Sequence, residues 1–183
     1  MVSKIQSESI NLADNFAFTG TVSGAGGVNT PAFFASVSAD QTVSDNTVTK
    51  VQCDTEHYDT NSAYDNSSNF RFQIPNGQAG KYHVYASIQT RSVNNTEQYQ
   101  TTAFIYKNGS NYLANENNPY NNPVSVLNTK LSAVIDLAVG DYLELYGRTD
   151  VQSGTAYFRH DSAAHTDNPT IGTTHFGAYK IIT

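Results

Sequence analysis

Five histidines, His57, His83, His160, His165 and His175, have the widest chemical range of any residues in this chain. His160-Asp161 with His165 and Asp167 sets imidazoles and carboxylates along one stretch, as a metal loop would. The spacing matches no zinc pattern, so the stretch reads as a solvated polar loop. Glu56, Asp59 and Asp65 flank a Tyr64-Asp65 pair and could offer carboxylates to calcium. The odd-position spacing of an EF-hand loop is missing, and Asx turns account for the same residues. Serine, histidine and aspartate are plentiful, yet neither G-x-S-x-G nor H-E-x-x-H occurs. Cys53 sits in an alternating stretch and reads as a small buried hydrophobe, not a nucleophile. Gly24, Gly26 and Gly27 follow no strand and open no helix, which excludes a phosphate loop. Paired catalytic carboxylates are not evident among the strands. The expectation is a protein that is not an enzyme and needs no metal or cofactor.

Recognition chemistry is better represented. Tyr112, Asn117, Asn118, Tyr120, Asn121 and Asn122 crowd into one stretch. Amides suit sugar hydroxyls and tyrosine rings suit the apolar sugar face, so this is the candidate receptor-binding loop. An ordinary Asn/Pro-rich loop has the same composition.

Composition narrows the partners. The net charge is -6, which argues against nucleic acid, whose phosphates need a basic face. No apolar run approaches membrane-spanning length, so no membrane insertion is expected. Charged residues are only 14% of the chain, and Asn, Thr, Ser, Gln and Tyr fill the difference. That is the make-up of a β-rich surface protein. One cysteine permits no internal disulfide. The first residues, MVSKIQSESINLADNF, lack an apolar core of signal-peptide length, which fits assembly in a cytoplasm.

The elements that must position these residues are strands. Leu131, Ala133, Ile135 and Leu137 alternate with smaller or polar residues, Gly140-Asp141 interrupts, and Leu143 and Leu145 resume the alternation. Period two means a strand with one face buried. The short interruption predicts two antiparallel strands joined as a hairpin. Further strands are expected at AFFASVSAD, NTVTKVQCD, FRFQI, KYHVYASIQTR, EQYQTTAFIYKNG and THFGAYKIIT. The run from Ser110 to Pro123 reads as a polar loop. No apolar stripe of period 3.6 lasts beyond a turn or two, so the fold is an all-β sandwich. Residues 1–29 differ. Ile10, Leu12, Phe16 and Phe18 are too few for a core and need cover from a partner or from the main domain, and a Gly-rich hinge follows them. They read as an anchoring arm ahead of a domain over residues 30–183.

Several spaced features then coincide. They are Phe33 to Ser36, Ala63-Tyr64-Asp65, Phe70 and Phe72, Gly80-Lys81-Tyr82, Tyr106-Lys107-Asn108-Gly109, Val139-Gly140-Asp141 and His175-Phe176-Gly177-Ala178-Tyr179. This ordered set, over residues 31–183, resembles the globular head of complement C1q and its relatives in the tumour-necrosis-factor superfamily. The resemblance implies a ten-stranded C1q/TNF-like jelly-roll sandwich that assembles as a homotrimer. The aromatic closing strand, with Phe176 and Tyr179, is expected at the trimer interface. The phrase NLADNFAFTGTVSGAGGVNTPAFFA is similar to leaders of small structural proteins from marine bacteriophages. That resemblance implies a virion fibre, knob or decoration protein, bound to other virion proteins through its arm and turned toward host-surface glycans. A soluble C1q-like lectin or cytokine-like ligand is the alternative.

Overall fold

A computed structural model describes residues 28–93, 97–160 and 172–181. The arm residues Ile10, Leu12, Phe16 and Phe18, and the loop residues Asp161, His165 and Asp167, lie outside the described residues. The described chain forms thirteen strands and no helix. The first seven are β1 (Ala32–Ser36), β2 (Gln41–Val43), β3 (Thr49–Lys50), β4 (Thr55–Asp59), β5 (Tyr64–Asp65), β6 (Arg71–Gln73) and β7 (Gly80–Ser92). The rest are β8 (Gln98–Lys107), β9 (Ser110–Asn117), β10 (Val126–Leu137), β11 (Tyr142–Val151), β12 (Ala156–Phe158) and β13 (His175–Lys180). They make two sheets. The first runs β2-β12-β7-β13-β1-β4, with β10 on the free side of β7. The second runs β5-β6-β11-β8-β9, with β3 also on β11. All pairings in both sheets are antiparallel.

The inward faces of the two sheets meet in one core. Phe33 lies at its centre, stacked on Tyr64 at 4.5 Å and Phe72 at 4.7 Å, with Phe176 edge-on at 5.0 Å. Offset and edge-to-face pairs match the ring quadrupoles and add to the area they bury. Elsewhere in the core Gly147 makes room for Phe158, because a Cβ there would stand 2.6 Å from Phe158 Cζ. Phe176 is 0% exposed. It belongs to the chain's own core and is not a trimer-interface residue. In β13 period two turns Phe176 inward and leaves His175 and Tyr179 half-buried on the other face.

The stretch from Leu131 to Gly147 corrects a second expectation. Its two strands are not a hairpin. β10 lies along β7 for twelve residues in the first sheet, and β11 lies along β8 in the second. Residues 138–141 carry the chain from one sheet to the other. Their turn is closed by the Asp141 N–H donating to the Ala138 carbonyl at 3.1 Å. The Ala138 N–H in turn donates to the Asp141 carboxylate at 2.9 Å. Alternation reports which side chains are buried, not which strand lies alongside, and here the two apolar faces meet across the core.

The run from Ser110 to Pro123 is likewise not all loop. Its first eight residues form β9, the edge strand of the second sheet. Asn108 and Gly109 have φ of 52° and 77°, the paired positive values of a two-residue hairpin turn, and join β8 to β9. Only Leu113 in β9 is even half-buried, so no alternation marks the strand in the sequence. Its free edge is stitched to β10, with Asn115 Nδ2 donating to the Lys130 carbonyl at 2.6 Å. That cover suppresses edge-to-edge pairing with other chains.

Candidate functional site

The outer face of the first sheet gathers a cluster of aromatic rings and histidines. Phe34 from β1 is its hub. Ring centroids of His57 and Tyr58 from β4 lie 5.1 Å and 6.2 Å away, Tyr85 from β7 at 6.0 Å and His175 from β13 at 5.4 Å. His83 extends the patch to Tyr85 at 5.8 Å and to Tyr179 at 5.1 Å. Gly177 forms a floor beneath it, since a Cβ there would stand 2.4 Å from Tyr85 Cζ. Val134 of β10, in register with His83, is 57% exposed, and Tyr58 is 46% exposed. This is a broad, ring-rich face with few charges. Three of the five histidines gather on it, which sequence spacing gave no means of seeing, because five strands supply the patch.

Few of its polar atoms are free. Ser36 Oγ and His57 Nε2 share a hydrogen bond at 2.9 Å, and His175 Nδ1 meets the Gly172 carbonyl at 3.2 Å. His83 Nδ1 is buried without a hydrogen bond. Burial pushes the Tyr85 hydroxyl above its ordinary range, with Tyr58 adding to the effect.

Burial also holds His175 below its ordinary value of 6.5, and Lys130 and His57 push the same way against the Gly172 carbonyl. A histidine lowered in the fold prefers to be neutral there. Its contribution is complete above the unfolded value and is lost as pH falls below it toward the folded value. Thermal melting should therefore weaken as pH falls below about 6.5, and His175→Gln should flatten that decline. An unchanged slope in the variant would remove His175 from the account. Asp141 acts in a lower window. Asn108 and Lys107 hold its carboxyl at about 2, so its contribution fades only in stronger acid.

The candidate receptor-binding loop is divided by the fold. Tyr112 lies in β9 beside the β8–β9 turn, with Lys107 Nζ 5.9 Å from its ring centroid. Asn117, Asn118, Tyr120, Asn121 and Asn122 lie at the other end of that strand, roughly 17 Å away at ~3.4 Å per residue. The amides there are partly engaged. Asn117 Nδ2 donates to the Asn128 carbonyl at 3.5 Å. Asn118 donates to Glu116 at 3.1 Å and accepts the Tyr120 N–H at 3.1 Å, an Asx turn. Tyr120 remains 61% exposed, and Tyr99 joins it with ring centroids 5.1 Å apart. Tyr99 was not legible as a site residue. It arrives through a bridge between Gln98 and Val124, far apart in sequence.

The carboxylates that could have served calcium act locally. Asp65 accepts the N–H groups of Ser67 at 3.0 Å and Ser68 at 2.9 Å and the Asn69 amide at 2.7 Å, which holds it below the usual carboxylate range. Asp59 accepts the Tyr64 N–H at 2.9 Å. Among the described residues no three His, Cys, Asp or Glu side chains gather as metal ligands. Cys53 is buried, and burial raises its thiol far above the reactive range.

No protein-family model matches the chain, and no curated protein matches it. Solved structures do. Murine APRIL at pH 5.0 superposes with a TM-score of 0.53 at 11% identity, covering 82% of this chain and 98% of that one. The globular domain of zebrafish complement 1qA gives 0.53 at 13% identity, covering 82% and 97%. Eiger TNF from S. frugiperda gives 0.51 at 14% identity, covering 82% and 91%. At these identities the likeness is one of fold: the chain has a C1q/TNF-like jelly roll.

Proposed function

We propose that this chain is a non-enzymatic virion structural protein of a bacteriophage, a homotrimeric fibre tip, knob or decoration. The ring-rich outer face of the first sheet carries this reading. Phe34, Tyr58, Tyr85, Val134 and Tyr179 form an apolar centre that copies of the chain can cover for one another. The N-terminal arm, residues 1–29, docks the trimer on other virion proteins, and three arms multiply a weak contact. The described chain enters β1 at Ala32, beside Tyr179 and the end of β4. Tyr99, Tyr120, Asn121 and Asn122 lie at the opposite end of the sandwich, by the register of β8 with β9. An arm fixed to a particle therefore turns that end outward, toward host-surface glycans. The protein works in the virion after assembly in host cytoplasm, and neither nucleic acid nor membrane insertion enters the reading.

Light scattering on the purified protein should give about three times the 19.9 kDa chain mass. Deleting residues 2–28 should leave a folded trimer that no longer incorporates into particles. Incorporation at the parental level would defeat the anchor. The second reading, a soluble lectin or cytokine-like ligand, is favoured by the fold likeness to APRIL and complement 1qA. It requires that full-length protein be absent from purified virions.

A further inference from the structure

A cleft of about 420 Å³ opens at the β1-entry end of the sandwich, within the range of small-molecule sites. Three turns meet there: Asn61-Ser62 before β5, Pro75-Asn76 after β6, and Val139-Gly140 between β10 and β11. Arg71 is the cation on its wall, and Asp65 is the carboxylate on it, with its oxygens accepting from Ser67, Ser68 and Asn69. Asp65 stands directly opposite Arg71 across the β5–β6 pair, where a salt bridge would be expected. That bridge does not form, because Asp65 turns into its own loop and accepts from Ser67, Ser68 and Asn69.

Arg71 has no carboxylate partner among the described residues. Its guanidinium lies over the Tyr142 ring at 4.6 Å and donates to Gln73 Oε1 at 3.3 Å. The stacking holds the planar fork in place, with its remaining N–H groups unused. The side chains of Asn61, Ser62 and Asn76 also line the cleft and make no hydrogen bond among the described residues. Asn117 and Asn118, by contrast, have amides engaged within the protein. An unpaired fork beside free amides and a hydroxyl matches one carboxylate on a small polyhydroxylated body.

We propose that this cleft binds a hexuronic acid residue of a glycan, with Arg71 holding the carboxylate and Asn61, Ser62 and Asn76 meeting ring hydroxyls. The assignment goes beyond the glycan-contact reading and does not use its outward end, because the cleft lies at the β1-entry end of the sandwich. It is physically separate from the trimer face and from the Tyr99–Tyr120 end.

Saturation-transfer NMR and calorimetry on the full chain test it, with sodium glucuronate and galacturonate as probes. Glucose, galactose and sodium acetate at matched ionic strength are the controls. The uronates should bind about tenfold or more tighter than any control, since charge-assisted bonds are the strong ones and acetate lacks the hydroxyls. Arg71→Gln should abolish the preference for acid over neutral sugar, and Arg71→Lys should keep only part of it. Asn76→Ala should weaken uronate binding with the parent's melting temperature. Equal binding of acid and neutral sugars overturns the proposal, as does an unchanged preference in Arg71→Gln. Should Arg71→Gln melt early, Arg71→Lys decides alone, and full preference there also overturns it. A monomer in light scattering that still prefers uronates would sink the trimer and leave this cleft standing.

Discussion

Val134→Asp should yield a folded monomer where the parent is a trimer. Val134 projects from β10 on the outer face of the first sheet, in register with His83 and 57% exposed in the single chain. A carboxylate there meets water in the monomer and costs the chain little. In the trimer three such carboxylates would be taken out of water against tyrosine and phenylalanine rings. Each transfer costs several kcal/mol when no partner charge is present. Light scattering should show the mass falling to that of one 19.9 kDa chain, with the melting temperature of the monomer retained. A Val134→Asp protein that stays trimeric would place the self-contact on another face.

Phe176→Asp should do the opposite and unfold the chain before any question of assembly arises. Phe176 is 0% exposed and packs edge-on against Phe33, with Tyr64 at 6.4 Å. The substitution removes a buried aromatic, worth about 3–5 kcal/mol on truncation. It also buries an unpaired charge between the two sheets. A domain of this size holds only about 5–15 kcal/mol in all. Soluble expression should collapse, and near-ultraviolet circular dichroism should lose its aromatic signal. A folded, monomeric Phe176→Asp protein would return Phe176 to the surface and contradict the packing described above. The pair of variants separates core from contact face with the same introduced group.

The contrast between Phe176 and Tyr179 shows how a sequence reading loses resolution. His175-Phe176-Gly177-Ala178-Tyr179 reads as one aromatic strand, and its richness suggests an interface. Period two divides it between the core and the outer face, and only the sheet it joins tells which is which. The same holds for Leu131 to Gly147. The alternation of Leu131, Ile135 and Leu137 and of Leu143 and Leu145 reports burial correctly, and all five are buried. It could not report that β10 and β11 lie in different sheets. The Ser110–Asn117 strand escaped because an edge strand that buries almost nothing leaves no hydrophobic period. The Asn108-Gly109 turn ahead of it was legible, since its dihedrals are a local property of Asn and Gly.

The sequence by itself determined what is local or periodic: an all-β chain, the inward residues of the long strands, the Asn-Gly turn, and a composition suited to surface recognition. Those follow from dihedral preference and from the cost of exposing apolar side chains, both of which act residue by residue. Only the tertiary structure decided which residues share a surface. It gathered His57, His83 and His175 around Phe34, brought Tyr99 to Tyr120, separated Tyr112 from Asn117–Asn122, and left Arg71 unpaired although Asp65 stands across from it. The first two outcomes depend on pairing between segments about twenty or more residues apart. Such pairing is selected by how well whole sheet faces bury one another, and no window of sequence contains that information.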